Sequence, residues 1–179
     1  MGLFGCKTDD KIEYFPKKEI VLVKEFESYS NFFPIGKINL KQFGIDRKIP
    51  LVYVFFDHSE EGFFKNDDID HFSFILEVDG KLKPTFQTKS LKMSDSYQKY
   101  LDKSIEKYNN YKKLPNSWLI DFSASPEWWQ DDETPKNSKG IDMKFICQID
   151  SDEFTEDDCR MFVFFNNENS EIRIIYQRT

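Results

Sequence analysis

The chain has 179 residues, 39% of them apolar, with 19 Phe and 8 Tyr. That supply of aromatic side chain is enough for a substantial core and excludes a disordered segment, even at a mean hydropathy of −0.62. A formal charge of −7 disfavours nucleic acid as a ligand, which needs clustered Lys and Arg, and suits a basic protein partner reached by electrostatic steering, although the same charge also serves plain solubility.

The length fits one domain spanning residues 1–179, or two small intimately packed halves. No run of about 18 apolar residues occurs, so no spanning helix is expected. At the start, MGLFGCK places Gly2 where myristoylation needs it, but Cys6 stands where Ser or Thr is preferred. No basic or apolar leader precedes that cysteine, so Leu3 and Phe4 read as an ordinary hydrophobic anchor. Cys6, Cys147 and Cys159 are odd in number and widely spaced, which predicts neither a zinc knuckle nor a disulfide framework. Such thiols act as small hydrophobes, and a reducing cytoplasm is the expected location.

Residues 7–18 read as a polar, Lys-rich surface segment with Pro16. The β-branched run Glu19–Phe26 predicts a strand, and Pro34 and Gly36 predict a break after it. Leu51–Phe56 is apolar on both faces, as in a strand covered on both sides. His58–Asp70 is an acidic loop long enough to suggest a role. The stretch from His71 to Gln87 predicts a hairpin, with Asp79-Gly80 as a type I′ turn. Residues 95–113 give the one clear helix, with Asp95 as cap and Gln98 at the box position. Tyr97, Tyr100, Leu101, Ile105 and Tyr108 form its apolar stripe, opposite Lys99, Lys103 and Lys107, and Pro115 ends the segment.

Trp118–Phe122 predicts a short strand, followed by a loop with an aromatic centre and acidic flank. In Met143–Asp150, Met143, Phe145, Cys147 and Ile149 alternate with Lys144, Gln148 and Asp150, and only Ile146 breaks the pattern. A last hairpin joins RMFVFF to EIRIIYQ through Asn166–Ser170, and the chain ends in or just after a docked strand.

Lys37–Asp57 aligns with Gln148–Asn166. Ile38 falls on Ile149, Phe43 on Phe154, and Tyr53–Asp57 on Phe162–Asn166 after a two-residue gap. Each copy reads as a strand, a polar turn and an aromatic strand, and neither alone covers both faces of its apolar strand. The expected architecture is therefore α+β, a mostly antiparallel sheet built from two duplicated strand units with one amphipathic helix.

Pro126, Trp128, Gln130 and Asp131, then Cys147 to Asp152, then Phe162, Phe164 and Phe165 together resemble the YwqG-like family, a bacterial domain of unknown function. Lys37–Leu40 and Tyr53–Phe56 resemble that family's earlier, shorter copy. Two features depart from it: Ser123-Ala124 replaces a glycine pair, and Glu156-Asp157-Asp158-Cys159 replaces a tryptophan-glycine element. The resemblance covers the last third well and the first half loosely. It implies an α+β fold with duplicated antiparallel units and supplies no reaction. Some members resemble partners of secreted toxin systems, which implies an immunity-type use.

No catalytic set emerges. His58 and His71 are the only histidines, both beside the acidic loop, and no nucleophile elbow or glycine-rich phosphate loop occurs. Asp150-x-Asp152 begins like a calcium loop, but Phe154 and Thr155 occupy the next required positions and the closing Glu is missing, so no metal or cofactor is expected. The candidate binding residues are Trp129, Gln130, Asp131 and Asp132 in one loop and Glu60, Glu61, Asp67 and Asp68 in the other. Adjacent Trp128 and Trp129 either point opposite ways, leaving one ring exposed as an anchor, or both plug the gap between the sheet units. The expected function is a non-enzymatic acidic protein-binding module, in its sharpest form an immunity protein against a toxin. The alternative is a small-molecule or glycan-binding domain, or an enzyme, using a cleft between the repeats.

Overall fold

The computed structural model describes residues 12–57, 71–86, 91–114 and 119–178. The fold is α+β, with two antiparallel sheets and one main helix. Strands β1 (Ile12–Tyr14), β2 (Phe32–Asn39) and β3 (Lys48–Val54) form a sheet in the order β1-β2-β3. Strands β4 (His71–Leu76), β5 (Leu82–Pro84), β6 (Lys144–Asp150), β7 (Cys159–Asn166) and β8 (Glu171–Arg178) form the second, in the order β5-β4-β8-β7-β6. The main helix is α2 (Asp95–Tyr111), and a single turn, α1 (Lys18–Val21), precedes it in the chain.

Both sheets contribute to one buried cluster. Leu51, Val52, Tyr53 and Val54 of β3 share it with Met161, Val163 and Phe165 of β7 and Ile172, Ile174 and Tyr176 of β8. Every β3 residue after Lys48 is buried, as its two-faced apolar run requires. The Tyr176 hydroxyl accepts from the Val54 N–H at 3.0 Å, and its ring meets Tyr53 edge-on at 5.4 Å. Helix α2 closes the cluster with Leu101 and Tyr108, whose ring stands edge-on to Phe33 at 5.1 Å. The last sheet wraps a second, smaller cluster on its other face, built from Met143, Phe162, Phe164 and Ile175.

Several elements depart from the sequence reading. Glu19–Phe26 is not a strand: α1 leads into Leu22, which makes one parallel bridge to Leu82, and a 3₁₀ turn follows at Lys24–Phe26. Strand β5 offers only three residues, too short an edge to pair the whole run. Residues 12–14, expected as surface coil, form β1. Pro34 and Gly36 lie inside β2, where a bulge between them absorbs the missing proline N–H. The 77–81 turn closes through Gly80 N–H to Glu77 O at 2.9 Å and Glu77 N–H to Lys81 O at 2.8 Å. Of the two central residues only Gly80 is left-handed, at φ 79, so the hairpin has a three-residue loop with a glycine bulge and not a type I′ turn.

Helix α2 is capped by Ser94, whose Oγ accepts from the Tyr97 N–H at 3.5 Å, and not by Asp95. Its stripe is buried at Leu101, Ser104 and Tyr108, while Tyr100 is exposed. Trp118 and Pro115 lie outside the described residues, and the rest of the predicted 118–122 strand is reduced to one bridge, Asp121 to Gln148. In β6 a bulge between Phe145 and Cys147 moves the alternation to the opposite face. Met143 and Phe145 therefore belong with the small outer cluster, and Cys147 and Ile149 with the main core. The two segments aligned in the sequence each contain an antiparallel pair, β2–β3 and β6–β7, one in each sheet.

Candidate functional site

The outer face of the β6-β7-β8 sheet carries two in-register rows. Asp150, Arg160 and Gln177 form one, and Gln148, Phe162 and Ile175 the other. The aromatic members take a lid from the 123–135 loop: Trp128 lies 4.3 Å from the Phe162 ring centre and 6.0 Å from Phe164, nearly parallel to the latter. Its partners are on the outside of one sheet, so Trp128 does not plug a gap between two strand units.

The polar members hold the loop backbone. Buried Gln177 accepts from the N–H groups of Trp129 at 2.9 Å and Gln130 at 3.0 Å, and donates to Asp131 O at 2.8 Å. Buried Gln148 accepts from Glu127 N–H at 2.9 Å and donates to the Asp121 carboxylate at 2.7 Å. These two side chains replace the ladder partners that an irregular loop lacks. Arg160 completes the arrangement. Its guanidinium donates to both Asp150 oxygens, at 2.6 and 3.0 Å, and to the Glu127 carbonyl and carboxylate at 3.2 and 3.3 Å. Its Cζ lies 4.8 Å from the centre of the Trp129 ring, a cation over an aromatic face.

Beside this arrangement opens a cleft of about 460 Å³. Asp121, Glu127, Asp150, Asp152 and Glu153 line it, and among the described residues Arg160 is the one cation that does. The Asp150 hydrogen bonds, opposed by burial and aided by the charges of Asp150, Glu127 and Asp121, hold Arg160 still more firmly protonated than usual. Helix α2 shapes the far wall through Tyr111 and anchors the turn that carries Asp152 and Glu153. Lys107 donates to Thr155 O at 2.8 Å and also reaches Asp152 O, while Ser104 Oγ accepts from Glu156 N–H at 2.9 Å. The cleft is therefore an acidic concavity with its own arginine already paired. It suits a cationic group arriving from outside.

The residues singled out in the sequence are only partly gathered here. Trp129 is half-buried beneath Arg160 at the rim. Gln130 faces solvent and donates to Arg178 O at 2.8 Å. Asp131 and Asp132 are exposed beyond the cleft. Asp132 accepts from the Thr134 hydroxyl at 2.7 Å and N–H at 2.9 Å, bonds that hold its carboxyl below the usual range. Glu60, Glu61, Asp67 and Asp68 lie outside the described residues, as does His58. Among the described residues no group of His, Cys, Asp and Glu is arranged to hold a metal ion. Cys147 and Cys159 are buried, and burial is the main force raising both thiols far above their ordinary range, so neither is a reactive thiolate. No helix among the described residues is long and apolar enough to cross a membrane.

The sequence reading missed Asp121, Glu127, Asp150, Glu153 and Arg160 as a group. One signal was available. Gln148 and Gln177 are polar residues inside strongly apolar strands, and a buried amide demands partners. No protein-family model matches the chain, and no curated protein or solved structure does either.

Proposed function

We propose that this chain is a non-enzymatic, YwqG-like binding module whose ligand is a basic protein, acting as an immunity-type protein that neutralises a toxin. The observation that carries the reading is the cleft lined, among the described residues, by five carboxylates and one cation that is already paired. A Lys or Arg side chain of the partner enters it, and the exposed Asp131 and Asp132 add to the steering field. Trp129 supplies an aromatic rim, as a partly buried tryptophan beside charged groups does at many interfaces. The kinship rests on the residues already quoted, Pro126, Trp128 and Gln130 in the loop and Cys147 to Asp152 in β6. A small ligand held between the two strand units has less support, because Tyr53, Phe154 and Tyr176 pack ring against ring there.

The test is a pull-down from the native cell with the tagged chain at low and high salt, beside an Asp152→Lys, Glu153→Lys variant. The expected result is one stoichiometric basic protein, weakened by salt and lost with the variant. Co-expression with that protein then relieves its toxicity. Retention of the partner by the variant, or an empty eluate at both salts, would overturn the reading.

A further inference from the structure

A second hollow lies on another side of the molecule, between the corner at Phe15-Pro16, the start of β2 and the last turns of α2. We propose that it is a binding site for an organic carboxylate with an apolar tail. This stands independently of the acidic cleft.

The hollow encloses about 300 Å³, at the lower end of the range for small-molecule sites. Its apolar wall comes from Phe15, Phe33, Pro34, Ile105 and Tyr108. Tyr108 donates its hydroxyl proton to Pro34 O at 2.5 Å, so its polar end is satisfied and the ring remains to line the space. Phe15 stands at φ 50, a left-handed backbone that a bulky residue rarely adopts. Its N–H donates to Ile35 O at 3.0 Å, and its ring meets Tyr108 and Tyr111 edge-on at 5.8 and 6.0 Å. Strain of this kind persists where the surroundings over-determine it, and it clusters at ligand sites.

The mouth carries the opposite sign to the rest of the protein. Among the described residues Lys17, Lys18 and Lys112 line the hollow and no carboxylate does, although the whole chain is at −7. Lys18 is half-buried, with its Nζ donating to Tyr29 O at 2.5 Å. Burial lowers its pKa; Glu19 works against that, and the charge of Lys112 lowers it further. Lys112 Nζ lies 4.6 Å above the Tyr108 ring. Two ammonium groups thus converge on one apolar space. An anionic head between them offsets their repulsion, while its tail displaces water from the aromatic wall.

The probe is octanoate, titrated by calorimetry into the full chain and mapped by amide chemical shifts, with octylamine and 1-octanol as controls. Octanoate is expected to bind with shifts at Phe33, Ile105 and Tyr108, and octylamine not to bind. A Lys18→Glu, Lys112→Glu variant should weaken octanoate by roughly tenfold, the size expected for lost charge-assisted hydrogen bonds. Ile105→Trp, which fills the hollow without touching its charge, should abolish binding, with thermal melting checking that the variant is folded. No octanoate binding, equal binding of 1-octanol, or full affinity in the lysine variant would overturn the proposal.

Discussion

Arg160 acts on three neighbours at once: the Asp150 carboxylate, Glu127 and the Trp129 ring. Arg160→Gln removes the two-pronged bond and the cation above the ring, freeing Asp150 and Glu127 to repel one another. Asp150 is 44% exposed, so solvent screens much of that pairing. The expected cost is about 1 kcal/mol by urea denaturation, with a red shift of tryptophan emission as Trp129 gains water. An unchanged emission maximum would mean that Arg160 does not shelter the ring. Glu171 gives a separate test, in pH. Burial pushes its carboxyl up, but hydrogen bonds from Arg173 and Asn169 outweigh this and leave it below its ordinary value. A carboxyl lowered in the folded state stabilises the fold above its unfolded pKa and loses that contribution as pH falls through the folded one. Glu171→Gln should therefore flatten the melting temperature against pH below about pH 4.3 and leave the profile near neutrality parallel to that of the parent.

At the scale of the element, Gly36, which flanks the β2 bulge, lets β1 and the Ile120 side chain come close. A Cβ there would sit 3.3 Å from the Ile120 side chain and 3.4 Å from the Glu13 carbonyl, a backbone atom that moves only with β1. Gly36→Val should cost about 1–3 kcal/mol by overpacking, measured by urea denaturation, with β1 amides exchanging faster. The same bulges explain which elements could be read in the sequence. Runs with one unbroken pattern, whether continuously apolar as in Leu51–Phe56 or periodic as in the 95–113 helix, and the two final strands were legible because local pattern and tertiary burial agree there. Pro34 read as a breaker because a bulge inside a strand leaves no periodic mark. Ile146, the one residue that spoiled the alternation of β6, stands between the two residues flanking the bulge that changes its face. Glu19–Phe26 had the composition of a strand, but pairing depends on the length of the edge offered, which composition does not carry. The cleft was harder to see. Asp150 and Arg160 become neighbours only through the β6–β7 register, and Asp121 and Glu127 reach them through Gln148, so the loop's own acidic run drew attention to Asp131 and Asp132 instead.

At the scale of the whole molecule, one buried ionic contact joins parts far apart in the chain. Asp157, in the turn after β6, accepts from the Tyr53 hydroxyl of β3 at 2.5 Å and from the Arg178 guanidinium of β8 at 3.2 Å. Arg178 also lies over the Phe56 ring at 4.5 Å, so its charge is held against aromatic surface as well as carboxylate. The side chains of Asp157 and Arg178 are only 8% and 19% exposed, so water screens the pair poorly. Asp157→Ala removes the carboxylate that accepts from both the Arg178 guanidinium and the Tyr53 phenol in that poorly hydrated setting, and the loss should reach about 3–5 kcal/mol, a large share of a typical domain's total. An apolar replacement of all three, Tyr53→Phe with Asp157→Ala and Arg178→Met, should recover most of that loss, because the penalty comes from the uncompensated groups more than from the missing attraction. The measurement is a urea denaturation cycle over the single, double and triple variants. If Asp157→Ala costs less than about 1 kcal/mol, or if the triple variant is no better than the single one, then the two sheets are held by their shared apolar cluster and the Val54–Tyr176 hydrogen bond without help from the ion pair. In that case the ion pair adds only local order at the end of β8.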